Sequence, residues 1–270
     1  MKTIQSKRNK ALQKELLLVE KQEQKLARSA MKANPAAWKT QLEQKIPVKV
    51  YSGLESAFCK GFSVVFNQGR SIIEKGYNKE NIKADHVIRD YAVQVKGGRK
   101  ELKQMRKSAS QSNFLNLAAT TLEGIGLGAL GIGMPDIVLF IGTLLKGIYE
   151  TALNYGFDYE SRQEQALILK MMAASLSTGE DWVGMDEQVD ALLLASENAI
   201  SEESFDEQMR ETASAFAVDM LLLKFVQGLP LIGIIGGAAN PVYYNKVMKY
   251  VQLKYRKRYL LRQKERGSVL

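Results

Sequence analysis

The apolar positions of this chain recur mostly with helical spacing. Leu12, Leu16, Val19, Leu26 and Ala30 follow one another at intervals of four, three, seven and four, with Glu23 filling the gap. That pattern predicts a narrow apolar stripe on a basic helix. The helix should end at Asn34-Pro35, because a residue preceding proline is pushed out of the α region. Asn34 then caps a short helix with Pro35 at its first position. After Ile46-Pro47 a longer helix is expected from about Lys49 to Lys75, stopped by Gly76. Residues 81–98 are ambiguous. Tyr91-Ala-Val-Gln-Val95 alternates like a strand, yet the chain offers no second strand to pair with it, so the stretch reads as loop or irregular helix ended by Gly97-Gly98. Helices are expected over 161–176 and 186–200, separated by Gly179 and Gly184. Another follows over 201–226, with Ser201 as cap and Glu202 and Glu203 in the first turn, where the helix dipole favours them. Asn240-Pro241 opens the last helix. With no set of strands, the fold class is all-α, a multi-helix bundle.

At the centre of the chain lies a glycine-rich apolar segment, residues 114–158. Positions 124–145 carry a single charge, Asp136. Their length matches the roughly 20 apolar residues that span a bilayer. Gly131, Gly133 and Pro135 interrupt them, so two antiparallel helices meeting near Met134-Pro135 fit better. Pro135 then takes the first helical position, with Asp136 as the helix-start carboxylate. In such a hairpin Glu123 and Lys146 stand at about the same height and are expected to pair, since a carboxylate in apolar surroundings needs a partner or a proton. Burial in a soluble core accounts for the hairpin. Insertion into a membrane stays open, as does a second uncharged stretch at 228–244.

Charge changes this picture. Residues 1–49 hold 12 basic and 4 acidic side chains, and residues 50–107 hold 12 and 6. Residues 108–243 hold 5 and 18, and residues 244–270 hold 9 and 1. Basic ends flank an acidic middle. Either the ends face an anionic partner, or they fold back onto the acidic centre. In the last helix, Tyr244, Met248, Val251, Tyr255 and Tyr259 fall on one arc, with Lys246, Lys249, Arg256 and Lys257 opposite. A basic amphipathic helix of this kind docks on anionic membranes, with tyrosine at the interface. Lys246, Lys249, Tyr255, Arg256, Lys257 and Tyr259 are therefore the lipid-contact candidates. A tyrosine stripe packed in a core under a solvated basic face is the competing reading.

The chemistry of catalysis is thin. One histidine and one cysteine leave no zinc cluster and no internal disulfide. No phosphate loop or nucleophile turn occurs, and GIGLGALGIG lacks the strand and βαβ unit of a dinucleotide site. His86 reads as a surface residue and Cys59 as an inert thiol. No cofactor, metal or catalytic residue is assigned. The polar start, MKTIQSKRNKALQKE, lacks the apolar run of a secretory signal, and a lone cysteine suits a reducing compartment. The expected location is cytoplasmic, at the inner face of the membrane if the basic ends engage it.

Several long strings resemble the bacterial EcsC family. They are KIPVKVYSGLESAFCKGFSVVFNQGRSIIEKGYNKE (45–80), LEGIGLGALGIGMPDIVLFIGTLLKGIYETALNYGFDYE (122–160), KFVQGLPLIGIIGGAAN (224–240) and YVQLKYRKRYL (250–260). The resemblance implies three parts: a basic helical extension at 1–44, the family's all-α domain at 45–262 built on the glycine-rich hairpin, and a flexible basic tail at 263–270. It also implies a link to membrane transport, since the family is named for a gene beside those of an ABC transporter, and it carries no catalytic residues. The function expected is non-enzymatic peripheral association with an anionic membrane surface or a membrane protein, without nucleic acid. The alternatives are a hydrolase using Glu123, Asp136 or His86, and a soluble helical scaffold. The oligomeric state is left open.

Overall fold

A computed structural model describes residues 2–32, 46–110, 134–194, 201–226 and 239–268. Ten α-helices and no strand occur among them. They are α1 (Lys2–Lys32), α2 (Val48–Val64), α3 (Arg70–Lys75), α4 (Lys79–Lys96), α5 (Arg99–Ala109), α6 (Met134–Asn154), α7 (Arg162–Leu176), α8 (Gly179–Leu194), α9 (Glu202–Val226) and α10 (Ala239–Ser268). A π-helical turn, Val65–Gly69, joins α2 to α3. The 49–75 helix of the sequence reading is therefore real but interrupted.

Of the expected punctuation, Ser201 and Gly97 act as foreseen, and Ser161 and Asn78, which the sequence reading did not single out, cap two further helices. Ser161 accepts from the Glu164 amide at the start of α7, and Ser201 does the same for Ser204 at the start of α9. Asn78 caps α4 in the same way. Gly97, at φ 57°, closes α4 in the left-handed region. Two expectations need correction. Residues 81–96 are regular helix, ended by Gly97: Val93 and Asp90 turn inward while Tyr91 and Val95 turn out, so the alternating apolar positions lie on opposite faces of α4. The helix after α7 starts at Gly179, not at 186, and Gly184 lies inside it.

Three helices form the inside. α10 packs against α1, α6, α7 and α8, and α6 packs against α2, α4, α5 and α10. Every residue of α7 from Glu164 to Leu176 is buried. Around Phe216 of α9, the rings of Phe58, Phe62 and Phe140 gather at centroid distances of 5.2–5.9 Å, tying α2 and α6 to α9. An 18-residue stretch of α6, Ile137–Asn154, is long and apolar enough to cross a membrane, and 89% of it is buried within the protein. It serves here as a core helix. The first arm of the expected hairpin, with Glu123, lies outside the described residues, as do residues 33–45 and 228–238. α6 begins at Met134, which sets Pro135 and Asp136 in its first turn.

The two expected appendages are helical and packed as far as they are described. Ala11, Leu12 and Val19 of α1 are buried against the body. Residues 263–268 continue α10 rather than forming a loose tail. Gln263 is buried there, donates to Asp90, and offers its carbonyl to Arg8.

Candidate functional site

The last helix carried the expected lipid contacts, and its surroundings decide what it can do. Tyr255 is fully buried and donates to Glu164 at 2.7 Å. Arg258 clasps the same carboxylate at 2.7 and 2.9 Å. Tyr259 donates to Asp90 at 2.8 Å. Arg256 is buried and donates to Glu15 at 2.6 Å. Lys257 bridges Glu23 and Asp190, and Lys246 holds both oxygens of Asp219. Lys254 is wholly buried, with carboxylate oxygens of Glu23, Asp186 and Asp190 at 2.9, 2.8 and 2.7 Å. Of the six residues singled out, only Lys249 is exposed.

These placements correct the sequence expectation. Tyr255, Arg256 and Tyr259 are all buried, so they cannot meet a lipid while the protein stays folded. The basic face is neutralised chiefly by Glu164, Asp186, Asp190 and Asp219, all from the acidic middle of the chain. At its C-terminal end, then, the chain folds back on itself. The electrostatics suit permanent pairing. Burial alone would push Lys254 down, but its hydrogen bonds to Asp186 and Asp190 outweigh that and hold the ammonium above its usual value. Burial likewise pushes the hydroxyls of Tyr250, Tyr255 and Tyr259 up, helped by the carboxylates they face, so each remains a donor.

The remaining candidates are equally structural. Lys146 is buried, and its ammonium lies 3.9 Å from Glu150, one turn along α6. Its expected partner Glu123 and the side chain of Asp136 lie outside the described residues. His86 offers Nδ1 to the Asn154 carbonyl at 2.9 Å, and its ring fills the space where Gly156 has no side chain. Burial pushes its pKa down. Cys59 is half-buried with its thiol pushed up by burial, which disfavours the reactive thiolate. Among the described residues, no group of three or more His, Cys, Asp and Glu could hold a metal.

The uncompensated charge lies elsewhere, on the outside of α1. Lys7, Lys10, Lys14, Lys21, Lys25, Arg28 and Lys32 are all exposed. Their spacings of three, four, seven, four, three and four place them within an arc of about 60° on a 3.6-residue helix. None forms an ion pair among the described residues, because two of the three acids of α1 turn toward the body and the third, Glu20, is exposed about 110° round the helix from the stripe. Glu15 takes Arg256 together with Arg99 and Arg106, and Glu23 takes Lys254 and Lys257. The face continues onto α5. Lys7 lies beside Gly98 at the start of that helix, and Lys100, Lys103 and Lys107 are exposed along it. With Arg99 and Gln104 these lysines line a shallow depression of about 380 Å³. The spacing of the α1 cations was present in the sequence. What the sequence did not reveal was which of the two basic ends keeps its charge outside.

These features define an all-α protein with a salt-bridged central helix and a cationic outer face. The chain belongs to the EcsC protein family, whose model matches residues 10–260 of its 270. The match takes in most of α1 as well as the body. No curated protein and no solved structure matches the chain.

Proposed function

We propose that the protein is a non-enzymatic, peripheral membrane-associating protein of the cytoplasm that docks on anionic lipid through the outer face of α1 and α5. The observation that carries this reading is the stripe of seven exposed cations on α1, none of them paired among the described residues. From Lys7 to Lys32 it runs about 38 Å along a single helix. A flat surface can engage such a line along its whole length. Each cation near an anionic leaflet contributes on the order of 1 kcal/mol, so the seven together supply about 7 kcal/mol, a dissociation constant on the order of 10 μM. Leu17, exposed at the edge of the stripe, adds an apolar contact. Nucleic acid is disfavoured because no base-stacking aromatic residue lies along the stripe and no recognised binding motif accompanies it.

Vesicle flotation tests the reading. The purified chain should float with vesicles containing phosphatidylserine and not with phosphatidylcholine alone. Raising salt from 50 to 500 mM should release much of it, because the Debye length falls from roughly 14 to 4 Å. Equal flotation with both lipids, or none with either, would overturn it.

A further inference from the structure

The helix next to the cationic face carries an unusual surface. On α4, Val87, Ile88, Tyr91 and Val95 are 64, 66, 67 and 48% exposed. They are four of the ten large hydrophobic side chains exposed among the described residues. Their spacing sets all four on one face, within an arc of about 100°. That face is opposite Asp90 and Val93, which anchor α4 to the body. Together the four side chains present roughly 400 Å², the size of patch that on a monomer is often functional.

We infer that this stripe is a lipid-inserting element, with the interfacial zone of the membrane as its occupant. Three observations select lipid. First, the stripe runs into the cationic face: Val95 is followed by Lys96, and Gly97-Gly98 leads directly to Arg99 and Lys100, beside Lys7 of α1. Second, its composition is that of an interfacial anchor. Aliphatic side chains surround one tyrosine, whose ring can lie among acyl chains while its hydroxyl stays wet. Third, roughly 400 Å² is about half of what each partner buries in a standard protein interface, so the stripe alone is too small to hold a second copy. The inference rests on the membrane reading above and adds to it. Charge brings the protein to the surface, and α4 supplies contact that salt does not remove.

The experiment uses the full chain with Cys59→Ser and a single new cysteine at position 91, labelled with an environment-sensitive fluorophore. A second protein carries the label at position 103 on α5. Phosphatidylserine vesicles, with or without nitroxide-labelled lipid, are added at low salt. The label at 91 should shift to the blue and be quenched several-fold more than the label at 103. Unlabelled Ile88→Ser/Tyr91→Ser/Val95→Ser protein should still float at low salt but lose at least tenfold in partitioning at 500 mM salt. Binding with no shift at 91 would overturn the inference and leave the charge-based reading standing. Failure of the parent chain to bind any vesicle would overturn both. Concentration-dependent dimerisation abolished by the triple serine variant would overturn the inference in favour of a second copy.

Discussion

Glu15 is the sharpest place to test whether α10 is a core helix. It sits on α1 with 1% of its side chain exposed, and it receives Arg256, itself 5% exposed, at 2.6 Å. Arg99 reaches its other oxygen at 3.0 Å, and Arg106 approaches to 4.0 Å. Burial pushes the Arg256 guanidinium down even with Glu15 beside it, so the carboxylate is what makes this charge tolerable. Glu15→Gln keeps the shape and one acceptor but removes the charge, leaving three guanidinium groups around a neutral amide. Removing one partner of a buried pair destabilises by about 3–5 kcal/mol, and Arg256 meets that condition while the half-exposed Arg99 and Arg106 add little. The lower end, about 3 kcal/mol, is therefore expected. In a chain of this size that lowers the melting temperature by roughly 6–12 °C. Urea denaturation followed by circular dichroism should show a lower midpoint with an unchanged slope. Adding Arg256→Met should recover a good part of the loss, because the stranded charge is then gone. A Glu15→Gln protein within about 0.5 kcal/mol of the parent would mean that α1 is not docked where Arg256 needs it.

Other tests follow from single sites. Gly156 has φ 74°, and a Cβ there would clash with the Nε2 edge of the His86 ring, so Gly156→Ala should destabilise by about 2 kcal/mol or more in thermal melts. Burial alone would raise Asp190, but hydrogen bonds from Lys254 and Lys257 outweigh it and hold the carboxyl below its usual 3.8. Its contribution to stability is thus complete above about pH 4 and lost as pH falls through the depressed folded value, a loss that Asp190→Asn should remove from the acid-denaturation profile. Lys249 is exposed and in no ion pair among the described residues, so Lys249→Glu should leave the melting temperature within a degree or two. Alkylation of Cys59 at pH 7.5 should be slow in the native protein and many times faster in urea, because burial keeps the thiol protonated.

Helix content was legible because caps and breakers act locally. Ser161, Asn78, Gly97 and Ser201 do in the structure what their residue types predict. α4 was obscured because its outer face is apolar. With Tyr91 and Val95 exposed and Asp90 buried, the polar and apolar positions no longer mark outside and inside, and the helical period is hidden. α10 misled for the opposite reason. Hydropathy treats a charged residue as a surface residue, whereas Lys254 and Arg256 are buried because Glu15, Glu23, Asp186 and Asp190 come to them from far along the chain. Partners separated by 64 to 241 residues leave no trace in local pattern. The acidic middle of the chain was the only sequence signal that such pairing was available, and it did not say which basic end would use it.

In the proposed function, α1 and α5 meet anionic membrane while α10 stays inside. The most direct measurement compares two folded variants in flotation with phosphatidylserine vesicles at low salt. Lys14→Glu/Lys21→Glu/Lys25→Glu reverses three exposed cations of the stripe, and Lys249→Glu reverses the exposed lysine of α10. At roughly 1 kcal/mol for each charge lost, the triple reversal should lower partitioning at least 100-fold, and Lys249→Glu should change it less than threefold. Full binding by the triple variant, or loss of binding by Lys249→Glu alone, would contradict the account.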